Sequence, residues 1–115
     1  MKIEQFEDIV AWQKAKLLTL KLYSLLRDLK DFAFRDQICR ASVSIMNNIA
    51  EGFERKSDKE FIHFLFIAKG SCGEVRSMLY LAKDLSYVQE TEYLYLLNTS
   101  IEVSKMLSGL IKTLN

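Results

Sequence analysis

Apolar residues recur at alternating steps of three and four along almost the whole of this 115-residue chain, and no proline interrupts them. That rhythm follows the 3.6-residue turn of an α-helix, so each run lays one oily stripe along a single face. A chain without proline has few marked turns, which suits long helices joined by short loops. The expectation is an all-α fold in one domain over residues 1–115, with helices at about 6–29, 34–55, 57–86 and 90–114. Short loops make successive helices antiparallel neighbours, giving an up-down-up-down four-helix bundle.

The stripes identify the core. On the first helix Ala11, Ala15, Leu18, Leu22, Leu25 and Leu29 form the seam, and Phe6, Val10, Leu17 and Leu20 form a second stripe. The two are rotated by about 135° at ~100° per residue, which is more apolar surface than a lone bundle hides. Self-assembly is therefore expected. The second helix contributes Phe34, Ile38, Ala41, Ile45, Ile49 and Gly52. The third opens on Ser57-Asp58-Lys59-Glu60, with the spacing of a reciprocal capping box between Ser57 and Glu60. Phe61, Leu65, Ala68, Cys72, Val75, Leu79 and Ala82 follow as its seam, widened by Phe64, Ile67, Met78, Leu81 and Leu85. Gly70 and Gly73 weaken an exposed helix by about 1 kcal/mol each relative to alanine, so a close helix crossing is expected there, or a kink. Leu96, Val103, Leu107, Leu110 and Leu114 line the fourth helix.

Half of the residues are hydrophobic, which excludes a disordered chain. The formal charge is only +1, so any nucleic-acid binding has to come from local placement of charge or from assembly. Cys39 and Cys72 lie far apart without a CxxC pair and are expected as buried, reduced thiols. Residues 1–10 carry Glu4, Glu7 and Asp8 and lack the pattern of a signal peptide. No apolar run approaches the ~18–20 residues that cross a bilayer. The expected setting is the cytoplasm, with no membrane partner.

The residues offer little for catalysis. Di-iron bundles use a Glu-x-x-His from each of two helices; Glu60-x-x-His63 is one half, but His63 is the only histidine, and Glu51 and Glu74 alone do not complete a site. Both cysteines fall in helix interiors away from an activating histidine. Gly70-Ser71-Cys72-Gly73 sits mid-helix and lacks the lysine of a phosphate loop. No enzyme, cofactor or metal is expected. Two polar stripes remain. Phe66, Lys69, Arg76, Tyr80 and Lys83 fall on one narrow face of the third helix, where cations interleaved with aromatics suit phosphates and bases; the bland alternative is a solvated face with snorkelling stems. Gln37, Arg40, Ser44, Asn47, Glu51 and Arg55 line the second helix away from its core stripe. They suit either solvent or a subunit interface, where Arg40 needs a carboxylate such as Glu51 or Glu74.

Three segments carry a family resemblance: Phe6-Glu7-Asp8-Ile9-Val10-Ala11-Trp12-Gln13-Lys14-Ala15, the run Gln37 to Gly52 ending in Asn48-Ile49-Ala50-Glu51-Gly52, and Phe61 to Ser71 followed by Glu74. Together they resemble the bacterial four-helix-bundle family named for proteins encoded in 23S rRNA intervening sequences, over essentially the whole chain. The resemblance implies a ring-shaped homopentamer with no catalytic residues, which would use the surplus stripe on helix one. It also implies kinship with the accessory proteins of diversity-generating retroelements, which associate with a reverse transcriptase and nucleic acid. Two functions follow as expectations. One is a ring that contacts RNA or DNA through Lys69, Arg76, Lys83, Tyr80, Arg55 and Lys56, with Phe6, Val10, Leu17, Leu20, Arg40 and Glu51 at the subunit interface. The other is a scaffold that recruits a protein partner, such as a reverse transcriptase, on the Phe66/Tyr80 surface.

Overall fold

Helix ends leave backbone groups without partners, and the chain is divided wherever local residues supply substitutes. The computed structural model describes residues 3–115. Met1 and Lys2, the first residues of the expected domain, lie outside the described residues. A short 3-10 turn, Phe6–Asp8, precedes four helices: α1 Val10–Leu25, α2 Phe32–Phe53, α3 Asp58–Asp84 and α4 Glu90–Leu114.

The first helix is shorter than its periodicity predicts. Ile9 is extended (φ −75°, ψ 118°) and buried, so it divides the 3-10 turn from α1. Phe6 folds back edge-on against Trp12, with ring centroids 5.2 Å apart. At the other end Leu26 leaves helical geometry, yet its amide still donates to the Leu22 carbonyl at 3.0 Å. Leu26 is fully buried, whereas Leu25 and Leu29 are only half-buried. An α-helix drifts about 20° per heptad against a strict seven-residue repeat, so after two heptads the seam passes to the next residue. The same drift buries Ile111 of α4 in preference to Leu110 and Leu114.

The second helix starts two residues earlier than expected, because Asp31 caps it. The Phe34 amide donates to Asp31 Oδ1 at 3.1 Å. The other carboxylate oxygen accepts from the Tyr87 hydroxyl at 2.6 Å, and the Tyr87 ring meets Phe34 edge-on at 5.1 Å. The Tyr87 hydrogen bond, with the Phe34 amide, holds the Asp31 carboxyl below its ordinary range. Its stabilising contribution is therefore present at neutral pH and is lost as the pH falls through that lowered value. On α3 the Glu60 amide donates to Ser57 Oγ at 3.2 Å, as the capping-box spacing predicts. The return bond differs: the Ser57 hydroxyl, and not its amide, reaches Glu60 Oε2 at 3.3 Å. The helix closes with Ser86 in the left-handed region (φ 60°) and the Tyr87 amide on the Ala82 carbonyl at 2.8 Å.

Each helix packs on its successor and α1 closes the square against α4, with α2 and α3 sharing the most extensive interface. The predicted seams of α2 and α3 are buried residue for residue. Each large side chain fully buried there stabilises the fold by about 1.5–3 kcal/mol. Three of the five widening positions on α3 are corrected: Ile67, Leu81 and Leu85 are exposed, and only Phe64 and Met78 are half-buried. The glycines are also corrected. At Gly70 and Gly73 a Cβ would meet nothing within 4 Å, so neither marks a crossing within the bundle, and α3 runs unbroken through both. The close approach is at Gly52, where an added Cβ would lie 2.7 Å from Phe64 Cβ and 3.0 Å from Phe61 Cδ1.

Gly52→Ala forces that contact apart. Overpacking costs about 1–3 kcal/mol, against a gain in helix propensity of about 1 kcal/mol. Chemical denaturation should show a net loss of up to about 2 kcal/mol, whereas Gly70→Ala and Gly73→Ala should leave stability unchanged or raise it.

Candidate nucleic-acid interface

The heptad spacing of Lys69, Arg76 and Lys83 puts one cation at about every 10 Å along α3. The roll of α3 turns that line toward α4. Lys69 Nζ donates to Ser108 Oγ at 2.6 Å, and Lys83 Nζ lies 4.9 Å from the centre of the Tyr93 ring. Between them, a cleft of about 180 Å³ is bounded by Lys69, Cys72, Gly73, Arg76, Ser100 and Ser104. Gly73 leaves its wall open, because no side chain rises from the helix there. None of the three cations is in an ion pair among the described residues. The seam thus presents unneutralised positive charge beside the hydroxyls of Ser104 and Ser108, a combination suited to phosphate oxygens. Ser100, in contrast, is buried and donates its hydroxyl to the Leu97 carbonyl at 2.7 Å. Tyr80 and Phe66 stand on the outward side of the same helix, 49% and 56% exposed.

Arg55 and Lys56 are not brought to this seam. Arg55 lies at the α2–α3 junction, 4.0 Å from Glu51, 3.8 Å from Glu60, and 4.8 Å from the centre of the Phe64 ring. Lys56 is at the end of the bundle, lining a cleft with Phe61 and Leu114.

The polar stripe expected on α2 divides. Gln37 and Ser44 turn into the interface with α3, where the Gln37 amide donates to Glu74 and Ser44 Oγ sits 2.9 Å from Ser71 Oγ. Asn48, not part of the expected stripe, donates to the Ser44 carbonyl at 2.8 Å and hydroxyl at 3.0 Å. Arg40 and Asn47 remain exposed, as does Glu51, whose carboxylate faces Arg55. Within the subunit Arg40 pairs with neither Glu51 nor Glu74, whose partners are Arg55 and Gln37. On α1, Val10, Leu17 and Leu20 are each more than half exposed, while Phe6 is half-buried inside the subunit against Trp12.

Among the described residues no group of three or more His, Cys, Asp or Glu side chains is placed to hold a metal ion. His63 is exposed, with its ring edge on Phe64. Cys39 and Cys72 are buried free thiols; burial raises both, Cys72 to about 12. Among the described residues no helix is long and apolar enough to cross a membrane.

Fold and surface together define an all-α, four-helix bundle whose polar chemistry runs along its helix seams. More particularly, the chain belongs to the family of 23S rRNA-intervening sequence proteins, whose model matches residues 7–109. A similar solved structure is the 1.70 Å crystal structure of a protein of unknown function from the S23 ribosomal protein family of Bacteroides thetaiotaomicron. It superposes with a TM-score of 0.83 at 29% identity, covering 89% of this chain and 98% of that one. No curated protein matches the sequence.

The thiols supply a check on the core. In the folded protein at pH 8, Cys39 and Cys72 should resist a thiol-specific chromogenic reagent for hours, and both should react at once in denaturant.

Proposed function

We propose that this protein is a self-assembling, non-catalytic bundle of the cytoplasm that holds RNA or DNA along the α3–α4 seam. The observation that carries the reading is the line Lys69, Arg76, Lys83, three cations without carboxylate partners beside Ser104 and Ser108. Each cation placed on a phosphate releases condensed counterions, which yields affinity without sequence preference. Tyr80, next to the line, offers a face on which a base stacks. One subunit with a net charge of +1 binds weakly by this means. Copies joined through the Val10, Leu17 and Leu20 face, in the ring of five that the family resemblance implies, present the seam repeatedly and multiply that affinity. Lys69→Glu with Arg76→Glu should lower affinity for a single-stranded oligonucleotide by about tenfold or more at 50 mM salt, read by fluorescence anisotropy. Binding that ignores the reversal, or that is missing from the native protein at low salt, rejects the reading.

The assembly has its own test. Leu17→Glu with Leu20→Glu should keep the helical circular dichroism and convert the native oligomer to single subunits in light scattering. A native protein that is already monomeric at micromolar concentration contradicts it.

A second reading, a scaffold that recruits a protein partner such as a reverse transcriptase, is favoured by the exposed apolar side chains Phe66, Ile67, Tyr80 and Leu81 of α3 and Leu85 just past its end. Under it, Phe66→Ala with Tyr80→Ala abolishes capture of a reverse transcriptase encoded beside this gene after nuclease treatment, and the double reversal at Lys69 and Arg76 does not.

A further inference from the structure

On the side of the bundle opposite the α3–α4 seam, a cleft of about 470 Å³ opens where the end of α1 meets the first turns of α2. That size is within the range of small-molecule sites, about 300–1,000 Å³. Its walls are Tyr23 and Arg27 from the α1 end and Arg35, Asp36 and Arg40 from α2, with Cys39 also lining it. The three arginines are not equivalent. Arg35 Nε is 3.2 Å from Asp36 Oδ1, and its guanidinium lies 4.8 Å from the centre of the Phe32 ring, so this pair largely cancels its own charge. Arg27 and Arg40 have no carboxylate partner among the described residues, and both are exposed at the mouth of the cleft. The guanidinium fork matches two phosphate oxygens at once and stays charged at any physiological pH. The Tyr23 ring, 53% exposed, is a flat apolar wall beside them. Two unpaired guanidinium groups and one open aromatic face in a cleft of this size make a complementary set for one class of small ligand.

We infer that the α1–α2 cleft binds a nucleoside phosphate, with its phosphates on Arg27 and Arg40 and its base against Tyr23. The site shares no residue with the α3–α4 seam and does not rest on the function proposed for it. The same chemistry is offered by a free nucleotide and by the phosphorylated 5′ end of a strand.

Isothermal titration of the full chain with ATP, inorganic triphosphate and adenosine tests the assignment. The native protein should bind ATP, and Arg27→Gln and Arg40→Gln should each weaken binding by about tenfold or more. Tyr23→Ala should weaken ATP but leave triphosphate unchanged. The Lys69→Glu, Arg76→Glu protein should bind ATP as the native protein does, which separates this site from the seam. A 5′-phosphorylated trinucleotide that displaces ATP better than its 5′-hydroxyl form supports a strand end as the source. Equal, weak competition by the two supports a free nucleotide. No ATP binding at millimolar concentration, or binding unmoved by both arginine variants, overturns the site. Triphosphate bound as tightly as ATP overturns the contact with Tyr23.

Discussion

The contact at Gly52 governs how the second and third helices meet. With no side chain there, the Cβ of Phe64 and the ring of Phe61 come against the backbone of α2, just before the short turn into α3. Together with the buried seam from Phe61 to Ala82, this approach fixes the roll of α3 about its own axis. One edge then meets α2 through Gln37–Glu74 and Ser44–Ser71. The other edge, with Lys69, Arg76 and Lys83, is turned to α4. The placement of the basic line is thus a consequence of packing on the far side of the same helix.

Polar residues in the bundle divide between holding helices together and remaining free. The α2–α3 seam is filled with pairs that satisfy one another, and buried hydroxyls such as Thr19 and Ser42 donate to carbonyls of their own helix. No buried side-chain donor or acceptor among the described residues lacks a partner. Most cations, in contrast, have no carboxylate partner: among the described residues only Lys14, Arg35 and Arg55 form ion pairs. Five of the unpaired cations gather in two places on opposite sides of the bundle: Lys69, Arg76 and Lys83 along the α3–α4 seam, and Arg27 and Arg40 at the mouth of the α1–α2 cleft.

The core of α2 and α3 was legible because their apolar spacing stays regular along each helix and every residue of both seams is buried. Legibility failed for identifiable physical reasons. The three-four rhythm drifts against a true helix, so Leu26 and Ile111 take the places read for Leu25 and Leu110. Asp31 falls between the expected first and second helices; it caps α2 through the nearby Phe34 amide, while its bond from Tyr87, distant in sequence, leaves no trace in the spacing. The exposure of Val10, Leu17 and Leu20 agrees with an apolar surplus visible in the spacing. The α1–α2 cleft left no signal, because Tyr23 and Arg27 converge with Arg40 only once α1 has ended early and the chain has turned back.

Counterion release on strand binding tests the central claim, that the cations of the α3–α4 seam contact phosphate. For a short oligonucleotide spanning a single seam, log affinity against log salt should fall with a slope of roughly −2, at about −0.7 per phosphate and three phosphates engaged. The protein carrying Lys69→Gln, Arg76→Gln and Lys83→Gln should lose most of that slope. A native slope near zero, or one that survives all three substitutions, would contradict the account.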